Sequence, residues 1–176
     1  TYPRQTTDPY PMVRIGTQVW MKKNLDVDHY RNGDSITEVR DSTEWANLTT
    51  GAWCYYDNNP ANDSVYGKLY NWYAVNDPRG LAPKEWHVAS DDEWAVLTTY
   101  LGGEEVAGGK LKDTGTVHWF SPNTGATNSS GFTALPGGIS VGYSVPQFNF
   151  IGYIGYCWSS TESYKDCAWC RYLSYG

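Results

Sequence analysis

The oxygen-bearing residues near position 60 are the first candidates for chemistry in this chain. Asp57, Asn59 and Asp63 lie within seven positions, and carboxylate and amide oxygens are the ligands that Ca²⁺ takes in proteins. The segment lacks the regularly spaced acidic residues and the terminal glutamate of a helix–loop–helix calcium site. A solvated turn is therefore the competing interpretation. A structural Ca²⁺ site is therefore a hypothesis, and we expect no other cofactor to be required.

The histidines predict no catalytic set. His29, His87 and His118 are far apart in the chain, and no nucleophile elbow, zinc-binding helix or phosphate-binding glycine loop accompanies them. His87 lies between Trp86 and Val88, a pattern typical of a buried strand, so we expect a hydrogen-bonded core histidine there. Because no nucleophile and base are paired, the sequence favours a protein that is not an enzyme.

The cysteines favour neither a disulfide nor a metal site. Cys167 and Cys170 form a C-x-x-C motif, but the surrounding residues are typical of a strand. Residues three apart on a strand point to opposite faces and lie about 10 Å apart, which is beyond disulfide reach. Both side chains can share one face only if a bend or bulge falls near Ala168.

Composition and charge exclude several classes of partner. The chain has 176 residues, enough for one compact domain with its own core. A net charge of −6 argues against nucleic acid, because phosphate-binding proteins need a basic patch. No apolar run is long enough to span a membrane. The aromatic fraction is 16%, supplied mainly by 9 Trp and 15 Tyr, which suit half-exposed binding surfaces because each has a polar group on an apolar body.

Local patterns predict the elements of the first half. Residues 12–15 and 18–21 flank Gly16–Thr17 and predict a β-hairpin. Residues 41–48 begin with a polar cap and predict a short helix. Apolar side chains recur at helical spacing from Ser64 to Val75, and this period predicts a longer helix over those residues.

A capping box marks the start of a second long helix. Ser90 and Glu93 have the spacing at which each side chain accepts a hydrogen bond from the other's backbone. Asp91 and Asp92 complement the helix dipole, which accounts for this acidic cluster without an acid–base role. Gly102–Gly103 ends the helix. From Gly108 onward the sequence predicts short strands joined by loops, so the fold class is α+β.

A series of blocks in the same order resembles the Fibrobacter succinogenes-type major paralogous domain. The blocks are residues 18–25 (QVWMKKNL), 30–34 (YRNGD), 66–75 (YGKLYNWYAV), 80–83 (GLAP), 86–94 (WHVASDDEW), 108–112 (GGKLK), 131–138 (GFTALPGG) and 158–162 (WSSTE). The resemblance implies a C-type-lectin-like fold, close to the formylglycine-generating branch, with two helices, small antiparallel sheets and a loop-rich C-terminal half. It places the domain at residues 13–176, after an extension over 1–12.

Two features of the resemblance bear on completeness and chemistry. Members of the family usually continue past the Arg171–Ser174 block into a final strand that carries a cysteine, and the sequence alone does not decide whether such a strand is missing here. The enzymes of the formylglycine-generating branch need reactive cysteines in a dedicated pocket. Cys167 and Cys170 do not stand in that motif, so the resemblance implies the fold and not the chemistry.

The resemblance also implies a diversified surface, because related proteins are the variable proteins of diversity-generating retroelements. Mutation at adenine can turn an Asn codon into one for Cys, Tyr or Asp but never into one for Trp. Residues 142–175 thus become the candidate variable region, with Trp94, Trp158 and Trp169 as buried scaffold. The candidate ligand-binding positions, expected to project to solvent on one face, are Tyr153, Cys157, Tyr164, Asp166, Cys167, Cys170 and Tyr172.

The function predicted from the sequence is a non-enzymatic ligand-binding protein on an extracellular, cell or virion surface. The expected partner is a protein or a glycan, with no nucleic acid and no membrane span. A Tyr-rich surface gives large, rigid contacts at low entropic cost, which favours a protein-binding display module. A carbohydrate-binding lectin or a structural surface module is the alternative, and ordinary drift in a surface loop is the alternative to retroelement diversification.

Overall fold

A computed structural model of the protein describes residues 10–142, 147–165 and 167–176. Its strands are β1 (Met12–Ile15), β2 (Gln18–Met21), β3 (Thr37–Glu38), β4 (Ala52–Cys54), β5 (Leu69–Tyr70), β6 (Gly137–Ser140), β7 (Phe148–Ile151), β8 (Ile154–Tyr164) and β9 (Cys167–Ser174). Its helices are α1 (Ser42–Ala46), α2 (Asp63–Tyr66), α3 (Trp72–Val75), α4 (Asp91–Tyr100) and α5 (Glu104–Leu111). The fold is therefore mixed α+β, as the sequence predicts.

Three elements form where local sequence signals place them. β1 and β2 pair as an antiparallel hairpin from Met12 opposite Met21 to Ile15 opposite Gln18. α1 begins after Asp41, whose side chain accepts a hydrogen bond from the Glu44 backbone N–H. α4 begins with the expected capping box, and it ends before Gly102–Gly103.

The long helix predicted over residues 64–75 is wrong. The chain forms α2, breaks at Gly67, pairs as β5 and then starts α3. Gly67 has a φ of 69°, and a Cβ there would lie 2.7 Å from the Leu25 carbonyl oxygen. Leu69 and Tyr70 pair with β4 instead of continuing a helix. Tertiary pairing and one glycine override the helical period.

A further helix, α5, lies where helix signals were expected to fade. It runs through Gly108 and Gly109, which are poor helix formers. A Cβ at Gly109 would come within 2.2 Å of the Gly125 carbonyl oxygen, so the glycine serves a close backbone approach. The described residues thus contain five α-helices, besides two 3₁₀ turns, where the resemblance implies two helices.

The strands form three separate sheets. One is the β1–β2 hairpin, the second has the order β3-β4-β5, and the third has the order β7-β6-β8-β9. Most pairs are antiparallel, as expected, but β3 and β4 are parallel. β6 and β8 are also parallel and meet at one bridge, Gly138 opposite Gly155. The segment between α5 and β6 has neither helix nor strand, in keeping with the predicted loop-rich half.

Two hydrophobic clusters hold the fold together. Cluster 1 surrounds β4, β5 and α3 and consists of Tyr30, Ile36, Trp53, Tyr70, Trp72, Ala74, Val75 and Leu81. Cluster 2 joins β1 to α4 and α5 and consists of Ile15, Trp94, Leu97, Leu101, Ala107 and Leu111. No helix within the described ranges is long and apolar enough to cross a membrane.

Candidate binding surface

The hairpin of β8 and β9 carries most of the predicted site residues. Its register is regular from Ile154 opposite Ser174 to Trp158 opposite Cys170. Directly opposite residues of an antiparallel pair share a face, and successive residues alternate between faces. We define the outer face as Tyr156, Trp158, Cys170 and Tyr172, and the inner face as Gly155, Cys157, Arg171 and Leu173.

The inner face is attached to the core. Cys157 and Leu173 pack against cluster 2, and the Arg171 guanidinium forms an ion pair with Asp91 in the first turn of α4. Burial raises the pKa of the Cys157 thiol to about 11, with a smaller contribution from nearby Cys170. The prediction that Cys157 projects to solvent with the other candidates is therefore wrong, because strand alternation turns it inward.

The outer face presents aromatic side chains and a free thiol. The Tyr156 and Tyr172 rings lie 6.2 Å apart. Tyr172 is 65% exposed, and Cys170 is an exposed free cysteine. These two predicted positions therefore lie together on one accessible face. The expectation that the candidates share a single face is wrong for the described positions, because Cys157 turns inward and Tyr153 and Tyr164 lie at opposite ends of β8.

The three scaffold tryptophans differ from expectation. Trp94 is buried as predicted, at 8% exposure, and stacks on Trp20 with ring centroids 4.6 Å apart. Trp158 is 37% exposed, although its indole N–H donates to the Tyr70 carbonyl oxygen at 2.8 Å. Trp169 is 51% exposed. It has no direct partner in β8, because the register shifts between Trp158 and Glu162. The prediction of burial is wrong for Trp158 and Trp169.

The tip of the hairpin pairs two further candidates. Tyr164 lies opposite Cys167, and a hydrogen bond with that thiol raises the pKa of Tyr164. Asp166 lies outside the described residues. The extra residues at the register shifts belong to β8, while β9 runs unbroken from Cys167 to Ser174. The predicted bulge near Ala168 is thus on the partner strand, and Cys167 and Cys170 alternate to opposite faces.

Tyr153 belongs to an aromatic patch at the turn between β7 and β8. Its ring lies 4.5 Å from Phe120 and 5.1 Å from Tyr175. Phe150 is exposed beside this turn, and its carbonyl oxygen accepts the Tyr153 backbone N–H at 3.0 Å. Sequence reasoning named Tyr153 but missed Phe120 and Phe150. Phe120 is distant in sequence, so only the fold brings it here.

A large cavity lies between the two clusters and reaches the outer face. Its volume is about 1010 Å³, near the upper end of the range for ligand sites. Ten aromatic residues contribute to the wall, among them Trp20, Tyr70, Trp94, Phe132, Tyr156 and Trp158. Cys170 also lines it, so the cavity and the outer face share residues.

His87 and Glu93 stand at the edge of this cavity. His87 was expected in a buried strand, but its side chain is 69% exposed and its segment is irregular. Its Nε2 lies 2.8 Å from a Glu93 carboxylate oxygen. Burial alone would raise the pKa of Glu93, but hydrogen bonds from the Ser90 backbone N–H and from His87 lower it. The pair completes the cap of α4, where the Ser90 hydroxyl also donates to the Glu93 carboxylate at 3.1 Å.

Two of the three predicted calcium ligands make side-chain contacts within the protein. The Asn59 side-chain oxygen accepts the Ala61 backbone N–H at 3.1 Å. Asp63 lies 3.4 Å from the Lys68 ammonium group. Asp57 has a φ of 57° in a 3₁₀ turn. Within the described ranges, no three His, Cys, Asp or Glu side chains are grouped to hold a metal, and the Ca²⁺ hypothesis stays a prediction.

The fold and its surface define a small mixed α+β domain with an aromatic hairpin at its C-terminal end. Comparison with protein families gives a match to the Fibrobacter succinogenes major domain over residues 13–175. The chain belongs to this family, which confirms the resemblance drawn from the ordered sequence blocks. No significant match to a curated protein or to a solved structure was found.

Proposed function

We propose that this domain is a non-enzymatic binding module with a C-type-lectin-like fold, and that its ligand contacts the exposed aromatic surface of β7 to β9. One observation carries the proposal. Eight aromatic residues are strongly exposed among the described positions, and six of them fall between Phe150 and Tyr172; the eight are Tyr100, Phe120, Phe150, Tyr153, Trp158, Tyr164, Trp169 and Tyr172. Phe120, although it lies outside that range, packs on Tyr153 and so belongs to the same aromatic surface.

Such a concentration costs solubility unless it serves an interaction. Contiguous apolar surface on a monomeric protein marks binding sites, whereas scattered apolar residues need no explanation. Tyrosine and tryptophan supply large contact areas with few rotatable bonds, and they are enriched among residues that dominate interface energetics. The ligand we propose is therefore another protein, bound through aromatic contacts on an extracellular, cell or virion surface.

The alternation of the hairpin supports the further proposal that this surface is diversified by a retroelement. Tyr153, Tyr164, Cys170 and Tyr172 are exposed, so side chains there can change without repacking the core. The inner face is held by cluster 2 and by the Arg171–Asp91 ion pair. A scaffold of this kind keeps its fold while the contact residues vary.

A matched pair of triple variants tests the binding surface. Tyr153, Tyr164 and Tyr172 are changed to alanine in one protein, and the exposed residues Val96, Val106 and Val117 in the other. Both proteins are screened, with the unchanged protein, against a panel of purified surface proteins and a glycan array. We expect the tyrosine variant to lose at least tenfold in affinity for any protein that the unchanged chain binds, and the valine variant to retain it.

Three outcomes of that screen would count against the proposal. An equal loss of affinity in both variants would show that binding depends on exposed apolar side chains in general and not on this surface. Retained affinity in the tyrosine variant would move the site elsewhere. Binding to glycans with no protein ligand would favour the lectin alternative.

The gene neighbourhood tests diversification separately. A reverse-transcriptase gene is expected nearby, together with a template repeat that resembles the codons of residues 142–175. The repeat should differ from the coding copy at adenines, and mainly at codons for outward-facing residues. Differences spread evenly over all bases would indicate ordinary drift.

A further inference from the structure

β9 forms one edge of the four-stranded sheet. The order β7-β6-β8-β9 leaves its eight residues paired on one side only. An edge strand presents backbone N–H and C=O groups that can pair with another chain. Which of those groups point outward follows from the pairing with β8.

The backbone directions are fixed by two hydrogen bonds. The Tyr175 backbone N–H donates to the Tyr153 carbonyl oxygen at 2.9 Å, so Tyr153 directs its backbone groups toward β9 and Ile154 directs its groups away. Neighbouring residues alternate, so Cys157 directs its backbone groups toward β9 and bonds to Arg171 opposite it. Cys170 and Tyr172 then direct theirs to the free edge. The Ser174 carbonyl oxygen agrees, because it points out of the sheet to the Lys112 ammonium group at 2.7 Å.

This edge lacks the usual protection. Among the described residues, no hydrogen bond connects the outward backbone groups of Ala168, Cys170 or Tyr172 to another segment. β9 contains no proline and no lysine, the residues that commonly block edge pairing. Its single charged residue, Arg171, is on the inner face and is paired with Asp91. The edge from Ala168 to Tyr172 is therefore open and locally free of unpaired charge.

We propose that the partner at this edge is a second copy of the chain, with the two β9 strands antiparallel about a two-fold axis at Cys170. This register places Cys170 opposite its equivalent and Ala168 opposite Tyr172, so that a small side chain meets a large one on both sides of the axis. A dyad at Arg171 would instead place two like charges opposite each other, which is unfavourable. Self-complementarity about Cys170 selects the second copy as occupant.

The size of the contact sets the strength of the dimer. Pairing over residues 168–172 buries less than the roughly 1,200 Å² of total surface at which stable interfaces begin. The dimer is thus weak and depends on concentration. It places the outer faces of two copies side by side in one continuous sheet and so enlarges the aromatic surface, with Tyr172 of each copy beside Ala168 of the other.

Sedimentation analysis in a reducing buffer tests the dimer without any ligand. The mass is expected to rise with concentration from 19.8 kDa toward twice that value. Tyr172→Lys, which places a charge at the edge, should raise the dissociation constant at least tenfold. Val117→Lys adds the same charge at an exposed residue outside β9 and should leave it unchanged. A chain that stays monomeric up to millimolar concentration, or two lysine variants with equal effects, would overturn the proposal.

Thiol cross-linking tests the register. Opposed residues of a hydrogen-bonded antiparallel pair have Cα atoms about 5.5 Å apart, within disulfide range. Oxidation with copper phenanthroline, which takes up the two electrons released by the two thiols, should link two copies through Cys170. Cys170→Ser should abolish the covalent dimer, and Cys167→Ser should not. A cross-link that survives in Cys170→Ser would overturn the two-fold axis at Cys170.

Discussion

The two faces of the β8–β9 hairpin differ although they belong to the same two strands. Residues of the inner face pack on cluster 2 or pair with α4. On the outer face, Cys170 and Tyr172 are exposed and the Tyr156 and Tyr172 rings lie 6.2 Å apart, whereas Trp158 also packs on Trp72 of cluster 1. Because strand residues alternate, one segment supplies both the attachment of the hairpin and its accessible surface. Inner-face residues should therefore serve stability and outer-face residues binding, with Trp158 as the exception because its indole N–H donates to the Tyr70 carbonyl oxygen.

The largest expected effect tests the attachment of the inner face. Trp94→Ala removes a buried indole that stacks on Trp20 and donates to the Trp158 carbonyl oxygen, and it should cost about 3–5 kcal/mol. Trp169→Ala removes the same side chain from an exposed position and should cost about 0.5 kcal/mol or less. Urea unfolding of both variants measures the difference. Equal losses would show that the exposed indole is also part of the packing.

A neighbouring pair on β9 tests alternation itself. Leu173→Ala removes a half-buried side chain packed on cluster 2, with an expected loss of about 2 kcal/mol. Tyr172→Ala, one residue away, should change the free energy of unfolding by about 0.5 kcal/mol at most. The melting temperatures of the two variants give the comparison. A larger fall in melting temperature for Tyr172→Ala than for Leu173→Ala would show that Tyr172, and not Leu173, lies on the inner face.

The cysteines report the same contrast through their reactivity. Burial raises the pKa of Cys157 to about 11 and that of Cys54 to about 12, and only the thiolate reacts with alkylating agents. Cys170 is exposed, so iodoacetamide at pH 8 should label it at least tenfold faster than either. Mass spectrometry of digested samples quantifies each site. Comparable rates for Cys157 and Cys170 in the folded protein would contradict the assignment of Cys157 to the inner face.

The smallest expected effect concerns the helix to which the inner face is attached. Because the pKa of Glu93 is lowered in the folded state, its contribution to stability is present above its ordinary pKa and is lost as the pH falls through the lowered value. Glu93→Gln should cost about 0.5 kcal/mol at pH 6, and the difference from the unchanged protein should close near pH 3. Asp92→Asn, in the same turn, is the control. If the difference in the free energy of unfolding between Glu93→Gln and the unchanged protein stays constant with pH, ionisation of Glu93 is not its cause.

Local signals allowed part of this fold to be predicted. The capping box at Ser90 and Glu93 depends on residues three apart, and it forms as expected. The β1–β2 hairpin depends on one turn, and it forms too. The family could also be predicted, because many short blocks occur in a fixed order along the chain.

The failures arise where distant residues decide the structure. Gly67 is incompatible with a continuous helix because the Leu25 backbone lies against it, and no local pattern records that contact. Gly109 lies within a helix because the Gly125 backbone approaches it. Cys157 was assigned to the surface by residue type alone, whereas the pairing with β9 turns it inward. Phe120 joins the aromatic patch only through the fold.

The single bridge between β6 and β8 has a mechanical consequence. A pull on the outer face cannot pass into the domain through a ladder of backbone hydrogen bonds, because only Gly138 and Gly155 join the hairpin to β6. The load passes instead through isolated contacts, which include the backbone hydrogen bond from Ser160 to Ala89, the Trp158 indole on Tyr70 and the ion pair of Arg171. Links of this kind break one after another, so the hairpin should yield to tension gradually while the two clusters stay folded.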